Sequence, residues 1–143
     1  MPLTLRFQEI PSKLFGRIYR PVADVDFKHK TRDIWIPIRL IIDTGADYSV
    51  LPRSYALPLG IDLERDCQEH WTIGIGGSER IFLYQGQQVR LGKYARIVPV
   101  GFLDREIGPA LFGRHEFLET FKAIFADHTV RFVNPRPRKA RAR

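Results

Sequence analysis

Ile34-Trp35-Ile36-Pro37-Ile38-Arg39-Leu40-Ile41-Ile42-Asp43-Thr44-Gly45-Ala46-Asp47 is the stretch of this 143-residue chain from which its fold can be read. In an extended strand successive side chains alternate between faces, so Ile34, Ile36, Ile38, Leu40 and Ile42 share one side, which must be core. Pro37 has no amide to donate, so its edge of the strand there should be unpaired or bulged. Where the apolar run ends an acid appears, followed by Thr-Gly-Ala, which is small and able to turn tightly. The pattern therefore places the carboxylate of Asp43 at the mouth of a core, held by rigid neighbours.

Upstream, Ile18 to Phe27 reads as one half-buried strand whose second half alternates, Ala23, Val25 and Phe27 on one side against Asp24, Asp26 and Lys28 on the other. The polar stretch Lys28 to Asp33 reads as a turn, so the two strands form a hairpin that delivers Asp43. Downstream, Ser49-Val50-Leu51-Pro52 leads away from the loop, and Leu57-Pro58-Leu59-Gly60-Ile61 is a compact apolar connection. Trp71 to Tyr84 reads as two strands pivoting on Gly74, Gly76 and Gly77. Val89 to Leu91 and Tyr94 to Val98 form another hairpin around Gly92-Lys93, and Val98 to Leu103 extends it. Arg114 to Phe121 has Phe117, Leu118 and Phe121 at helical spacing, with Gly113 ending the strand before it. Two last strands, Phe121 to Phe125 and Thr129 to Val133, flank Ala126-Asp127-His128. The expected fold is all-β, a small closed barrel with one short helix near the C-terminus. Residues 1–134 should form the single domain, followed by a basic tail at 135–143.

Asp-Thr-Gly alone could be an ordinary turn, but here it resembles the active-site loop of aspartic proteases. It occurs once, in a chain too short for two lobes, which is similar to the retroviral-type, retropepsin-like half-enzyme. Ala110-Leu111-Phe112-Gly113-Arg114 resembles the family's apolar-apolar-Gly-Arg segment beneath the active loop. Thr72-Ile73-Gly74-Ile75-Gly76-Gly77-Ser78-Glu79 lies between the two, where the family carries its flap. A nucleotide-binding reading of these glycines would need a helix after them, whereas Arg80-Ile81-Phe82-Leu83-Tyr84 is β-like. The three motifs follow in order across roughly residues 34 to 122.

The resemblance implies a homodimer in which Asp43 of each subunit is catalytic. It implies that Thr44, Gly45 and Ala46 support the active-site loop, and that Asp47 and Arg114 form a buried structural ion pair. Ile73, Gly74, Ile75, Gly76 and Gly77 would be the flap that binds a peptide or protein substrate, with no cofactor and no metal. Two features depart from the retroviral pattern. The first 33 residues or so have no counterpart, and the chain ends in a basic tail where retroviral dimers are held by strands from both chain ends. The arrangement looks more like the retropepsin-like proteins of bacteria.

A chain of this length can bury a core without disulfide staples. Its single Cys67 excludes an internal disulfide framework and fits a reducing cytoplasm. Cys67 and His70 form a lone Cys-x-x-His, too few ligands for a metal site, so both are expected to be ordinary surface residues. No apolar stretch approaches the ~18 residues of a membrane span, and the first residues lack a secretory pattern. Cytoplasmic localisation is thus expected, with no membrane contact. Of the net charge of +7, five units sit in the tail Pro135 to Arg143, which has two prolines and no apolar period. Disorder is expected there, with nucleic acid or an acidic protein as candidate contacts. Against the endopeptidase expectation stand two others: a catalytically silent module for peptide binding or dimerisation, and an RNA-associated protein acting through the tail.

Overall fold

The computed structural model of the protein describes residues 2–133; the expected disordered tail at 135–143 lies outside the described residues. Strands dominate, as the all-β expectation has it. In chain order they are β1 (Leu3–Arg6), β2 (Gln8–Ser12), β3 (Gly16–Arg20), β4 (Val22–Lys28), β5 (Trp35–Ile42) and β6 (Ser49–Pro52). A one-turn helix α1 (Leu63–Asp66) precedes β7 (Gln68–Gly74), β8 (Gly77–Leu91), β9 (Tyr94–Leu103) and β10 (Leu111–Phe112). The last two strands are β11 (Lys122–Ala126) and β12 (Thr129–Val133).

The β4–β5 hairpin forms in the register its alternation dictates, from Val22 opposite Ile41 to Lys28 opposite Trp35. Val25, Phe27, Ile38, Leu40 and Ile42 are buried, while Ile34 lies just outside the strand and is exposed. Pro37 faces Asp26 of β4, and β10 reaches only Ile41 and Ile42 on the other side. The missing amide therefore costs no ladder bond. The main sheet runs β4-β5-β10-β6-β9-β8-β7. β4 also pairs with β8 through Asp26–Arg90 and Phe27–Val89, so the sheet curves round on itself. β8 can follow this curve because it bulges between Tyr84 and Gln87, where Gly86 takes φ 85°.

The first 33 residues, for which the sequence offers no counterpart, supply β4 to the main sheet and two further parts. β1 pairs with β12, making a sheet β1-β12-β11 whose Val130 and Phe132 join the core. β2 and β3 form a separate hairpin, against which the β11–β12 turn packs through Tyr19 stacked on His128 at 3.8 Å.

The short C-terminal helix expected over Arg114–Phe121 shrinks to a 3₁₀ turn at Leu118–Thr120. Glu116 adopts φ 57° and Phe117 φ −127°, ψ −92°, and neither belongs in a helix. The aromatic spacing instead serves packing: Phe117 and Leu118 are buried, with the Phe117 ring 4.0 Å from that of Phe112. Among the described residues the one α-helical turn lies elsewhere, at α1, where Asp62 accepts hydrogen bonds from the amides of Glu64 and Arg65, both at 3.0 Å. Those bonds, Arg65's first, hold the Asp62 carboxyl below its usual range. No helix among the described residues is long and apolar enough to cross a membrane.

Candidate active site

Asp43 follows β5 directly, and its amide donates to the carbonyl of Phe112 in β10 at 3.0 Å. Its Oδ1 accepts the Gly45 amide at 2.9 Å, and its carbonyl accepts the Ala46 amide at 3.1 Å. The carboxylate is thus part of its own turn. Gly45 fits this turn because an added Cβ would sit 3.2 Å from Asp43 Oδ1, closer than such atoms ordinarily approach. Asp43 is half-buried, and Thr44 and Gly45 are exposed.

The loop is clamped to the segment after β10. The Arg114 amide donates to the Ala46 carbonyl at 3.0 Å, and the His115 amide to the Asp47 carbonyl at 2.8 Å. The Gly113 amide donates to Oγ of Ser49, a hydroxyl buried at the start of β6, at 3.0 Å. Gly113 is a steric necessity. A Cβ there would overlap the carbonyl group of Tyr48 and lie 2.7 Å from the Ser49 nitrogen.

The Asp47–Arg114 pair forms, but with two differences from the expectation. It is exposed in the single chain, with side-chain exposures of 82% and 44%. It is also not bidentate: Arg114 Nη2 donates to Asp47 Oδ1 at 2.7 Å, while Nη1 turns to the Thr44 carbonyl at 2.6 Å. The guanidinium therefore ties together both ends of the Asp43 loop. The reason is position: Asp47 lies on the outer rim of the loop, where no further layer of the described residues covers it.

The glycine-rich segment forms a hairpin of β7 and β8, in register from Gln68–Leu83 to Gly74–Gly77. Ile75 and Gly76 make its tip, and Trp71, Ile73 and Ile75 are all exposed. Gly77 takes φ 112°, which suits glycine.

A family model described as aspartyl protease matches residues 31–115, a span that includes the Asp43 loop, the β7–β8 hairpin and Gly113-Arg114. The chain belongs to the aspartyl protease family. No curated protein matches it. Membership supports a protease, a hydrolase, as its class. The match begins at Thr31, so β1, β2, β3 and β4 lie outside it.

Residues that the motifs do not reveal also shape this aspartyl protease. Ser49 supports Gly113, and the signal for it was only its place in the strand leaving the loop. Tyr48 lies over Gly101, where a Cβ would come within 2.7 Å of its ring, and burial pushes its phenol up. Cys67 is half-buried, not an ordinary surface residue, and burial pushes its thiol up to about 11. His70 is exposed. Among the described residues no group of three or more His, Cys, Asp or Glu is placed to hold a metal ion.

Proposed function

We propose that this aspartyl protease is a homodimeric endopeptidase that cleaves extended peptides through two Asp43 carboxylates, one from each subunit. The observation that carries the reading is the Asp43 loop itself, turned on its own carboxylate and clamped by backbone bonds to residues 112–115. One such loop per chain is half of a two-carboxylate site, and a two-fold axis is the symmetry by which copies most often complete each other. The ring of strand pairs from β4 to β8 is read as a closed barrel that carries the loop at one end.

Two carboxylates about 3 Å apart repel by roughly 5 kcal/mol at an effective dielectric of 20, so they hold one proton between them. Aspartic proteases are the established example of such a pair, and the mechanism is taken from them. The ionised member draws a proton from a water molecule, which attacks the peptide carbonyl carbon. The protonated member donates to the carbonyl oxygen as its negative charge develops. Breakdown of the tetrahedral species returns a proton to the leaving nitrogen and frees two peptide ends.

Thr44 is proposed to brace the two loops across the axis through its hydroxyl, Gly45 to let the substrate backbone approach, and Ala46 to keep the site small. Asp47 and Arg114 hold the rim. Ile73, Gly74, Ile75, Gly76 and Gly77 form a flap whose closure excludes water and whose amides bind substrate. The lone, half-buried thiol of Cys67 suits a reducing cytoplasm.

The test is digestion of casein or a peptide library between pH 4 and 7 with wild type and Asp43→Asn. Cleavage should vanish in the variant while its thermal unfolding is retained, because neutralising the pair removes the base. Cleavage by purified Asp43→Asn at the wild-type rate would end the endopeptidase reading. A tight dimer whose wild type never cleaves would instead mark a peptide-binding module.

A further inference from the structure

The β7–β8 hairpin has almost nothing apolar to hold it. β7 is exposed along its length apart from a half-buried Thr72, and among the described residues it pairs only with β8. A two-stranded hairpin is marginal without packing beneath it. The first fully buried side chain on the returning strand is Ile81, the fifth residue of β8.

Between that anchor and the tip lies a line of charges set by strand register. Leu103 of β9 sits between Pro52 of β6 and Ile81 of β8. One residue further along come Arg53, just past β6, Asp104, just past β9, and Arg80 of β8, an acid between two bases. The contacts follow from that placement. Arg80 donates from Nε and Nη2 to Asp104 Oδ2 at 3.0 and 2.7 Å, and Arg53 Nη1 donates to Asp104 Oδ1 at 2.8 Å. The Asp104 amide donates to the Arg80 carbonyl at 3.2 Å. One step closer to the tip, Arg105 grips Glu79 with two bonds, Nε to Oε1 at 2.6 Å and Nη2 to Oε2 at 3.1 Å. The Arg105 carbonyl in turn accepts the Arg53 amide at 2.9 Å. Arg53 directly follows β6, whose Ser49 supports Gly113 under the Asp43 loop.

We propose that Asp104 and Arg105 are positioning residues that fix the β7–β8 hairpin to the floor of the site through Arg80 and Glu79. The role in turnover rests on the endopeptidase reading above; the mechanical coupling does not. Exposed ion pairs are individually weak, which suits a fastening that must release and re-form each time a peptide enters. The network gains from sharing Asp104 and from the fork geometry of Arg105 on Glu79. Its elements also connect the hairpin to β6 and hence to the loop that carries Asp43.

Amide hydrogen exchange of residues 70–79 in the full chain, read by mass spectrometry, tests this without requiring cleavage. Asp104→Asn and Glu79→Gln should each raise exchange there by about three- to tenfold, since a low-stability segment opens locally when its anchors go. Exchange in β4 and β5 should be unchanged, which separates loosening from global unfolding. Asp24→Asn, in the exposed Asp24–Arg39 pair elsewhere, serves as the control and should leave the hairpin alone. Reversing both charges, Glu79→Arg with Arg105→Glu, should restore slow exchange. In an active protein Asp104→Asn should raise KM more than it lowers kcat. Unchanged exchange in both single variants, or failure of the reversed pair to restore it, would overturn the proposal. A wild type that never cleaves, with exchange responding as expected, would remove the endopeptidase reading and leave the fastening in place.

Discussion

Replacing Gly113 by alanine should be among the most damaging single-methyl changes this chain can suffer. The new Cβ would fall on the Tyr48 carbonyl group and 2.7 Å from the Ser49 nitrogen. All of these are backbone atoms, so no side-chain rotation relieves the overlap. Overpacking of this kind costs about 1–3 kcal/mol. Any shift that relieves it also strains two hydrogen bonds: the Gly113 amide to the buried Ser49 Oγ at 3.0 Å, and the Leu118 amide to the Gly113 carbonyl at 3.3 Å. Losing either adds about 0.5–1.5 kcal/mol. The total is roughly 2–5 kcal/mol, or a fall in Tm of about 7–17 °C for a domain of this size. Gly76→Ala is the matched control, because a Cβ there meets nothing within 4 Å. Urea and thermal unfolding of the two variants should separate them clearly. Activity should fall as well, since Phe112, next to Gly113, supplies the carbonyl that fixes the Asp43 amide. A Gly113→Ala protein that melts within two or three degrees of wild type would show that the loop and the segment beneath it are not locked together.

Arg114→Ala should cost only about 1–2 kcal/mol, because its pair with Asp47 is exposed and the main loss is the bond to the Thr44 carbonyl; a loss beyond about 4 kcal/mol in a monomeric sample would point to a buried pair after all. Cys67 should react with iodoacetamide at pH 8 more slowly than a cysteine peptide, since its thiol is pushed up to about 11 from 9.0. The sign for stability follows: burial favours the neutral thiol, so its contribution is complete below pH 9 and is lost as pH rises towards 11, and a Tm flat across that window would contradict it. Specific activity should rise with protein concentration around the dimer dissociation constant, and excess Asp43→Asn should suppress wild type beyond dilution, because each mixed dimer carries one competent carboxylate. Full activity in a sample that sediments as monomer at every concentration would refute a shared site.

The sequence determined what local chemistry could determine. Period-two alternation in residues 22–42 placed the β4–β5 hairpin and its buried face, and the acid after Ile42 placed Asp43 at a strand end. Gly92-Lys93 and Asp127-His128 marked their turns because few residues accept positive φ, and Gly92, Asp127 and His128 do so here. The motif order also indicated the family. Tertiary structure decided what depends on which elements meet. Helical spacing of Phe117, Leu118 and Phe121 did not produce a helix, since burial of the first two was reached through a left-handed Glu116. Asp47 and Arg114 paired as their motifs suggested, yet burial is a property of what covers them, and none of the described residues does. The row Arg53–Asp104–Arg80 joins residues far apart in sequence, brought side by side only by the registers of β6, β9 and β8. A charge in a strand says nothing about its neighbour until a second strand supplies one.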